Sequence, residues 1–195
     1  SLFQRTAKGQ TLSDLPRDRG DVRNRREWAG RHLRTFPRLD AAEMHDADLH
    51  EGIDSTIPLI QHQLKQGISI VKEYGQIPTV MCYPSRMNQV FLNLLVNAVQ
   101  AIEGEGSITI RTSADDDAVR LKFIDTGNGI PKENLDRVFD PGFTTKGVGV
   151  GTGLGLPICY QIIQDHRGEI SIESEVGKGT TVTVSLPTNE ERRDS

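Results

Sequence analysis

The sequence is poor in cysteine, with only Cys82 and Cys159 among its 195 residues, and the two lie far apart in apolar surroundings. Neither has a C-x-x-C spacing or a histidine close in sequence, so the pattern gives no support to a disulfide framework or a zinc site. We expect both cysteines to be reduced core residues, and a catalytic thiol is the less favoured alternative.

Long hydrophobic runs are also missing. No stretch approaches the roughly 20 apolar residues that a membrane-spanning helix needs, and no charged and then apolar leader opens the chain. A composition of 35% hydrophobic and 26% charged residues is ordinary for a globular protein. We therefore expect a cytoplasmic location, and because the chain begins with Ser1 rather than methionine, we expect a piece of a longer protein.

The net charge of -4 conceals an asymmetry along the chain. Residues 1–40 carry ten Lys and Arg against five Asp and Glu, whereas the remainder carries thirteen against twenty-two. A domain boundary is therefore predicted near Asp40. The basic segment lacks interleaved aromatic residues and nucleic-acid-binding motifs, so we expect no nucleic acid partner and interpret it as a solvated face or a partly ordered lead-in.

Hydrophobic periodicity predicts an α+β fold, a two-layer sandwich in which a mixed, mostly antiparallel sheet carries helices on one face. The predicted helices cover residues 22–36, 52–65, 85–102, 131–139 and 153–166. The predicted strands cover residues 68–74, 79–82, 108–112, 119–124, 169–173 and 180–186.

Glycine is concentrated on five alternate positions just before an apolar helical pattern, which indicates a loop around a phosphorylated ligand rather than a plain linker. These residues are Gly147, Gly149, Gly151, Gly153 and Gly155. Pro157 is tolerated early in a helix, because the N–H groups of the first turn have no internal partners, so we expect the helix to begin close to Gly153, with its free N–H groups facing an anion. Lys146 would supply a point charge for terminal phosphates. Neither a Walker loop nor a Rossmann motif can be placed.

Asp125 follows an apolar strand and opens the segment Asp-Thr-Gly-Asn-Gly. A carboxylate only accepts hydrogen bonds, so at the floor of a pocket it would select a ligand with an N–H donor, such as the exocyclic amine of adenine. By itself the motif is equally compatible with an Asx turn at a strand end.

Asn93 and Asn97 are four residues apart and share one face of the predicted helix over residues 85–102. Neutral oxygen ligands on a rigid helix suit a hydrated Mg²⁺ ion that bridges phosphates. A single asparagine in a helix is more often solvent-facing or satisfied in the core, but two on one face upstream of a nucleotide signature favour a functional role.

The order of these segments closely resembles the catalytic ATP-binding domain of two-component sensor histidine kinases, whose Bergerat-type fold is shared with gyrase, Hsp90 and MutL. The resemblance covers roughly residues 48–187. The matching segments are NQVFLNLLVNAVQAI, DTGNGIP, VFDPGFTTK, GTGLGLPICYQI and GKGTTVTVSLP. Departures from the family pattern are Gly142-Phe143 in place of two adjacent aromatics and Pro157 in place of a serine.

The resemblance implies ATP and Mg²⁺ as cofactors and catalytic roles for Asn93, Asn97 and Lys146, with Asn97 at the metal. It implies an ATP lid over residues 139–155 and adenine recognition by Asp125, with Thr180 or Thr181 nearby. The complete set of implied nucleotide-binding residues is Asn93, Asn97, Asp125, Gly127, Gly129, Ile130, Phe139, Thr144, Thr145, Lys146, Gly151, Thr152, Gly153, Leu154, Gly155, Leu156, Thr180 and Thr181.

The resemblance also implies a domain plan and partners. Residues 1–40 would be the end of a dimerisation hairpin helix, residues 41–188 the catalytic domain and residues 189–195 a charged tail. The expected partners are a histidine-bearing dimerisation hairpin, a second copy in the full-length protein and a response regulator. The location would then be cytoplasmic or the cytoplasmic part of a membrane-bound receptor.

ATPase relatives of this fold carry a glutamate where Asn93 stands, and an amide cannot activate water as that base does. This favours phosphoryl transfer to a side chain over hydrolysis. The alternatives are an ATP-binding sensor or dimerisation module without phosphotransfer and, less favoured, a serine-directed kinase.

The phosphoacceptor histidine is expected to lie outside this sequence. His50-Glu51 imitates the start of the family's acceptor motif, but the proline that should follow is out of register, so we interpret His50 as a surface residue. His32 lies too late in the hairpin helix, and His45, His62 and His166 have no supporting context.

Overall fold

A computed structural model describes residues 43–64, 66–144 and 153–188 of the chain. The strands are β1 (His45–Ala47), β2 (Ile68–Tyr74), β3 (Val80–Cys82), β4 (Gly106–Ala114), β5 (Ala118–Asp125), β6 (Glu169–Glu175) and β7 (Gly179–Pro187). The helices are α1 (Leu49–Ile60), α2 (Pro84–Ala101), α3 (Lys132–Leu135) and α4 (Gly155–Asp165), with a 3₁₀ turn at Gln61–Gln63 after α1.

Five strands form one mixed sheet in the order β2-β4-β5-β7-β6. Only β2 and β4 run parallel, and the other neighbours are antiparallel, which confirms the predicted mixed, mostly antiparallel sheet. Asp125 is the last residue of β5 and lies opposite Thr180 of β7. The central strands therefore bring the predicted base-reading carboxylate beside the predicted adenine-side threonine.

Helix α2 packs between α1 and α4 and buries its apolar face against the sheet. Phe91 is fully buried at its centre, and its ring lies 6.1 Å from that of Phe123 on β5. The buried residues of α2 are Met87, Val90, Phe91, Leu94, Leu95, Ala98 and Val99. With this face fixed in the core, the polar residues of α2 are held at defined positions on its flank.

Several elements differ from the sequence prediction. Helix α1 begins at Leu49 rather than at Gly52, because Asp48 caps it by accepting a 2.8 Å hydrogen bond from the backbone N–H of His50. The helix predicted over 131–139 is helical only at Lys132–Leu135. The small sheet formed by β1 and β3 was not predicted, because a strand of three residues, His-Asp-Ala, carries no alternating pattern.

Both cysteines are free and fully buried, which confirms that part of the prediction. No helix among the described residues is long and apolar enough to cross a bilayer. The helix predicted over 22–36, the boundary near Asp40 and the tail at 189–195 lie outside the described residues.

Candidate nucleotide-binding site

A cavity of about 640 Å³ opens between α2, the sheet and the start of α4. This volume is in the range of cavities that hold small molecules. Asp125 and Thr180, which pair across β5 and β7, form one part of its wall, which we call the aspartate end. Asn93, Asn97 and Gly155, which lie close together where α2 meets the start of α4, form another part, the asparagine end. The wall of one cavity thus contains both the Asp125 carboxyl group and the side-chain amides of Asn93 and Asn97.

Asp125 is 7% exposed, and its carboxylate accepts hydrogen bonds from two backbone N–H groups. Gly127 donates one of them across 2.8 Å and Thr180 donates the other. Burial raises the pKa of Asp125 above its ordinary value, and the two hydrogen bonds oppose this rise. The Asx turn and the pocket carboxylate were alternatives in the sequence, and the structure combines them, because one side chain closes the turn and lines the cavity.

Two glycines after Asp125 allow the loop to pack closely on its neighbours. A Cβ at Gly127 would lie 2.5 Å from the carbonyl oxygen of Ala101. Gly129 has φ +71°, and a Cβ there would overlap the carbonyl oxygen of Glu175. The loop is therefore held between the end of α2 and the end of β6 by contacts that only glycine permits.

Ser174, which was not among the predicted site residues, ties this loop to the sheet. The Ser174 hydroxyl accepts a 2.8 Å hydrogen bond from the backbone N–H of Ile130 and donates a 2.9 Å hydrogen bond to the carbonyl oxygen of Gly179. Its oxygen also lies 2.9 Å from the Thr180 hydroxyl. Ser174 therefore connects three segments at the aspartate end.

At the asparagine end, the Asn93 amide nitrogen donates a 3.4 Å hydrogen bond to the carbonyl oxygen of Gly155. A Cβ on Gly155 would lie 3.8 Å from the amide nitrogen of Asn97, so the first residue of α4 approaches both asparagines. The buried thiol of Cys159 packs behind Asn93, and burial raises its pKa to about 12. This thiol remains protonated and unreactive at neutral pH, which agrees with a core role.

Helix α4 begins two residues after the predicted start near Gly153. Gly153 precedes the helix with φ +63°, and its carbonyl oxygen accepts a 2.9 Å hydrogen bond from Gly142. Leu154 is the N-cap, Gly155 is the first helical residue and Pro157 lies in the first turn. The free N–H groups of the first turn therefore begin at Gly155 rather than at Gly153.

Most predicted nucleotide-binding residues that the structure describes meet at this cavity. Those that line it are Asn93, Asn97, Asp125, Gly129, Ile130, Thr144, Gly153, Gly155, Leu156 and Thr180. Four others do not line it. Gly127 donates a hydrogen bond to Asp125, and the ring of Phe139 packs on that of Tyr160 with centres 5.5 Å apart. Leu154 is 47% exposed, and Thr181 lies on the face of β7 opposite to Thr180. The predicted residues Thr145, Lys146, Gly151 and Thr152 lie outside the described residues.

Sequence reasoning missed several residues of the cavity wall. Phe123 and Val182 line it, and each lies two positions from a predicted site residue on its strand. The period-two alternation of a strand places them on the same face, so this signal could have found them. Glu103 and Asn128 also line the wall and are joined by a 2.9 Å hydrogen bond, a contact that no local pattern indicates.

The histidines of the described residues lie away from this cavity. His166 is fully buried, where Nδ1–H donates to the carbonyl oxygen of Ile162 at 2.6 Å and Nε2 accepts from the backbone N–H of Tyr83 at 3.0 Å. His50 was expected at the surface, but its side chain is only 23% exposed, because the ring stacks on Tyr74 with centres 4.2 Å apart. Its Nε2 lies 2.8 Å from the hydroxyl of Thr112.

Comparison with known proteins agrees with this architecture. Residues 82–190 match the family model described as histidine kinase-, DNA gyrase B-, and HSP90-like ATPase. The sensor histidine kinase ZraS of Escherichia coli strain K12 is 42% identical over 118 residues, which are 60% of this chain and 25% of ZraS. The chain therefore spans about a quarter of that relative.

Solved structures extend the likeness from sequence to fold. The catalytic domain of histidine kinase ThkA in a nucleotide-free form matches with a TM-score of 0.69 and 32% identity, over 77% of this chain and 99% of that domain. The crystal structure of full-length ShkA in complex with AMPPNP matches with a TM-score of 0.67 and 26% identity, over 76% of this chain and 32% of ShkA.

Proposed function

The chain belongs to the family of histidine kinase-, DNA gyrase B-, and HSP90-like ATPases, and from this membership we propose that it binds ATP and transfers the γ-phosphoryl group to a histidine of a dimerisation hairpin. The relatives reported above support a sensor kinase rather than a gyrase or a chaperone. The hairpin would be supplied by a more N-terminal part of the protein or by another chain.

One observation supports this proposal most directly: the wall of a single cavity contains both a buried acceptor, Asp125, and two amides beside a helix start. ATP has the matching order of groups, with an amine-bearing base at one end and phosphates at the other. Asp125 would accept from the base, and the first-turn N–H groups of α4 would face the phosphates.

Asn97, with Asn93 beside it, fits a hydrated Mg²⁺ ion, because amide oxygens are hard neutral ligands and this cation takes few of them from a protein. When bound, the ion would neutralise charge on the phosphates during transfer. We further propose that Lys146 contacts the terminal phosphates. The other proposed nucleotide-binding residues of the lid are Thr145, Gly151 and Thr152.

Transfer to a side chain suits the asparagine end better than hydrolysis. Asn93 cannot take a proton from water, and its amide nitrogen already donates to Gly155. In the proposed step an imidazole nitrogen attacks the γ-phosphorus as the bond to the bridging oxygen of ADP breaks. The imidazole proton passes to solvent, and ADP leaves with the electron pair.

The acceptor is proposed to lie on the hairpin because none of the histidines that the structure describes lines the cavity. His166 is fully buried, and His50 is stacked on Tyr74. A response regulator would receive the phosphoryl group next, and the full-length protein would act as a homodimer.

The test combines the chain with γ-labelled ATP, Mg²⁺ and hairpins cloned from the same protein or from close relatives. We expect label on the hairpin that is lost in acid and retained in base, the behaviour of phosphohistidine. An Asn97→Ala chain is the matched control and should give none. Tight ATP binding without label on any hairpin would replace the proposal with a nucleotide-binding module, and base-labile label on the hairpin would indicate a serine-directed kinase.

A further inference from the structure

The hydrogen atoms around Ser174 can be assigned from the chemistry of its partners. A serine hydroxyl has one hydrogen to donate and two lone pairs that accept. The Ile130 contact at 2.8 Å comes from a backbone N–H, so Ser174 accepts there. The Gly179 contact at 2.9 Å ends on a carbonyl oxygen, which can only accept, so the single hydrogen of Ser174 is committed to it.

The direction of the remaining hydrogen bond follows. The oxygen atoms of Ser174 and Thr180 are 2.9 Å apart, and because Ser174 has no hydrogen left, Thr180 must donate. The Thr180 hydroxyl hydrogen then points towards β6. Its oxygen retains a lone pair for the cavity that Thr180 lines.

This orientation matters because of the residue opposite. Thr180 lies directly across from Asp125 in the β5–β7 register, and both line the aspartate end. The Asp125 side chain accepts hydrogen bonds from the backbone N–H groups of Gly127 and Thr180, so it presents acceptor oxygens. Both side chains therefore present hydrogen-bond acceptors at the aspartate end. A threonine hydroxyl that was free to rotate could instead act as either donor or acceptor.

We propose that Ser174 is a positioning residue that fixes Thr180 as an acceptor and thereby gives the site its preference for a 6-aminopurine over a 6-oxopurine. This inference rests on the proposed nucleotide function and specifies how the base is selected. Two acceptors match an exocyclic amine, which has two hydrogens, and both oppose the carbonyl oxygen of guanine. Ser174 acts through Thr180 and does not contact the base.

The test measures ATP and GTP affinities by calorimetry for the wild-type chain, Ser174→Ala and a matched control, Ser171→Ala, on the exposed side of the same strand. We expect Ser174→Ala to reduce the ATP-over-GTP preference by about tenfold, the equivalent of one well-placed hydrogen bond. Ser171→Ala should retain the wild-type preference. A merely structural role of Ser174 would weaken both nucleotides equally and leave the ratio unchanged.

Two further variants separate orientation from general damage. Thr180→Val removes the hydroxyl at nearly constant volume and should reduce the ratio, and adding Ser174→Ala to it should cause no further reduction. Ser174→Thr keeps the hydroxyl and should restore the preference. If Ser174→Ala does not fold, an unchanged ratio in Thr180→Val overturns the inference by itself.

The outcomes distinguish the two proposals. If the wild-type chain binds no ATP, the proposed function fails and the inference fails with it. If it binds ATP in preference to GTP and Ser174→Ala retains that ratio, only the inference fails. Equal wild-type affinities for ATP and GTP would also overturn the inference and leave nucleotide binding intact.

Discussion

The side-chain amide of Asn93 donates a hydrogen bond to the carbonyl oxygen of Gly155 across 3.4 Å and so links α2 to the first residue of α4. This contact holds the proposed metal-side residues next to the proposed phosphate-binding helix start. Asn97, one turn further along α2, lies beside the same glycine.

Asn97→Ala should abolish Mg-ATP binding and leave the fold intact. The residue flanks the buried stripe of α2, so we expect the free energy of unfolding to change by no more than about 1 kcal/mol. Calorimetry with Mg-ATP and thermal unfolding measure the two effects. Gln89→Ala, an exposed amide on the same helix, is the control and should bind normally. Full activity of Asn97→Ala would refute the metal assignment.

ATP binding should weaken on acidification through a window that lies above the ordinary pKa of an aspartate. Burial raises the pKa of Asp125, and only the ionised form accepts from the base amine, so affinity falls as pH decreases towards that raised pKa. Folding stability should change in the opposite direction. The folded state holds this proton more tightly than the unfolded state, so the contribution of Asp125 declines as pH rises from the unfolded to the folded pKa.

Asp125→Asn isolates this carboxylate from the titration of the phosphates. We expect the variant to lose both part of its ATP-over-GTP preference and the part of the pH dependence that Asp125 supplies. Affinities of the two proteins for both nucleotides over a pH series provide the comparison. An unchanged preference would count against Asp125 as the residue that reads the base.

Gly129→Ala and Gly104→Ala form a matched pair for the loop geometry. Both glycines have positive φ, +71° and +85°, but a Cβ at Gly104 meets nothing within 4 Å, whereas one at Gly129 overlaps the carbonyl oxygen of Glu175. We expect Gly104→Ala to cost about 1–2 kcal/mol of stability from backbone strain alone. Gly129→Ala should cost more and also reduce ATP affinity, and denaturant titration with calorimetry would detect both. Equal effects of the two substitutions would contradict the close-packing explanation.

His50→Gln should leave phosphoryl transfer to the hairpin unchanged and reduce stability by about 1 kcal/mol. The ring stacks on Tyr74 and its Nε2 contacts the Thr112 hydroxyl, so the substitution removes packing and weakens one hydrogen bond. Label transfer and thermal unfolding are the measurements. Complete loss of labelling with an intact fold would identify His50 as an acceptor after all.

Local patterns predicted the large elements well because each one buries an apolar face with its own period. The apolar stripe of α2 is buried in the core, and so are the alternating inward-facing residues of β4 and β5. Local sequence patterns predicted the ends of helices less accurately, because a single contact can set the residue at which a helix begins. Asp48 starts α1 three residues earlier than predicted, and Gly153 adopts a left-handed turn instead of opening α4.

The residues of the candidate site also fall into those that local sequence predicts and those that only long-range contacts define. Asp125, Asn93 and Asn97 could be selected from the sequence because their residue types and spacing indicate a chemistry by themselves. Ser174 could not, since a serine in a strand has no local signature, and its role depends on contacts with Ile130, Gly179 and Thr180. Long-range contacts of this kind appear only after the chain has folded.

The sequence by itself determined the fold class and the identity of the acidic and amide groups, because periodicity and side-chain chemistry are local properties. The tertiary structure decided which of them share one cavity. It also separated Thr180 from Thr181, because the pairing of β5 with β7 sets which face of the strand lies towards Asp125. It further decided the direction of the Thr180 hydroxyl, because that depends on a serine from a neighbouring strand that has a single hydrogen to donate.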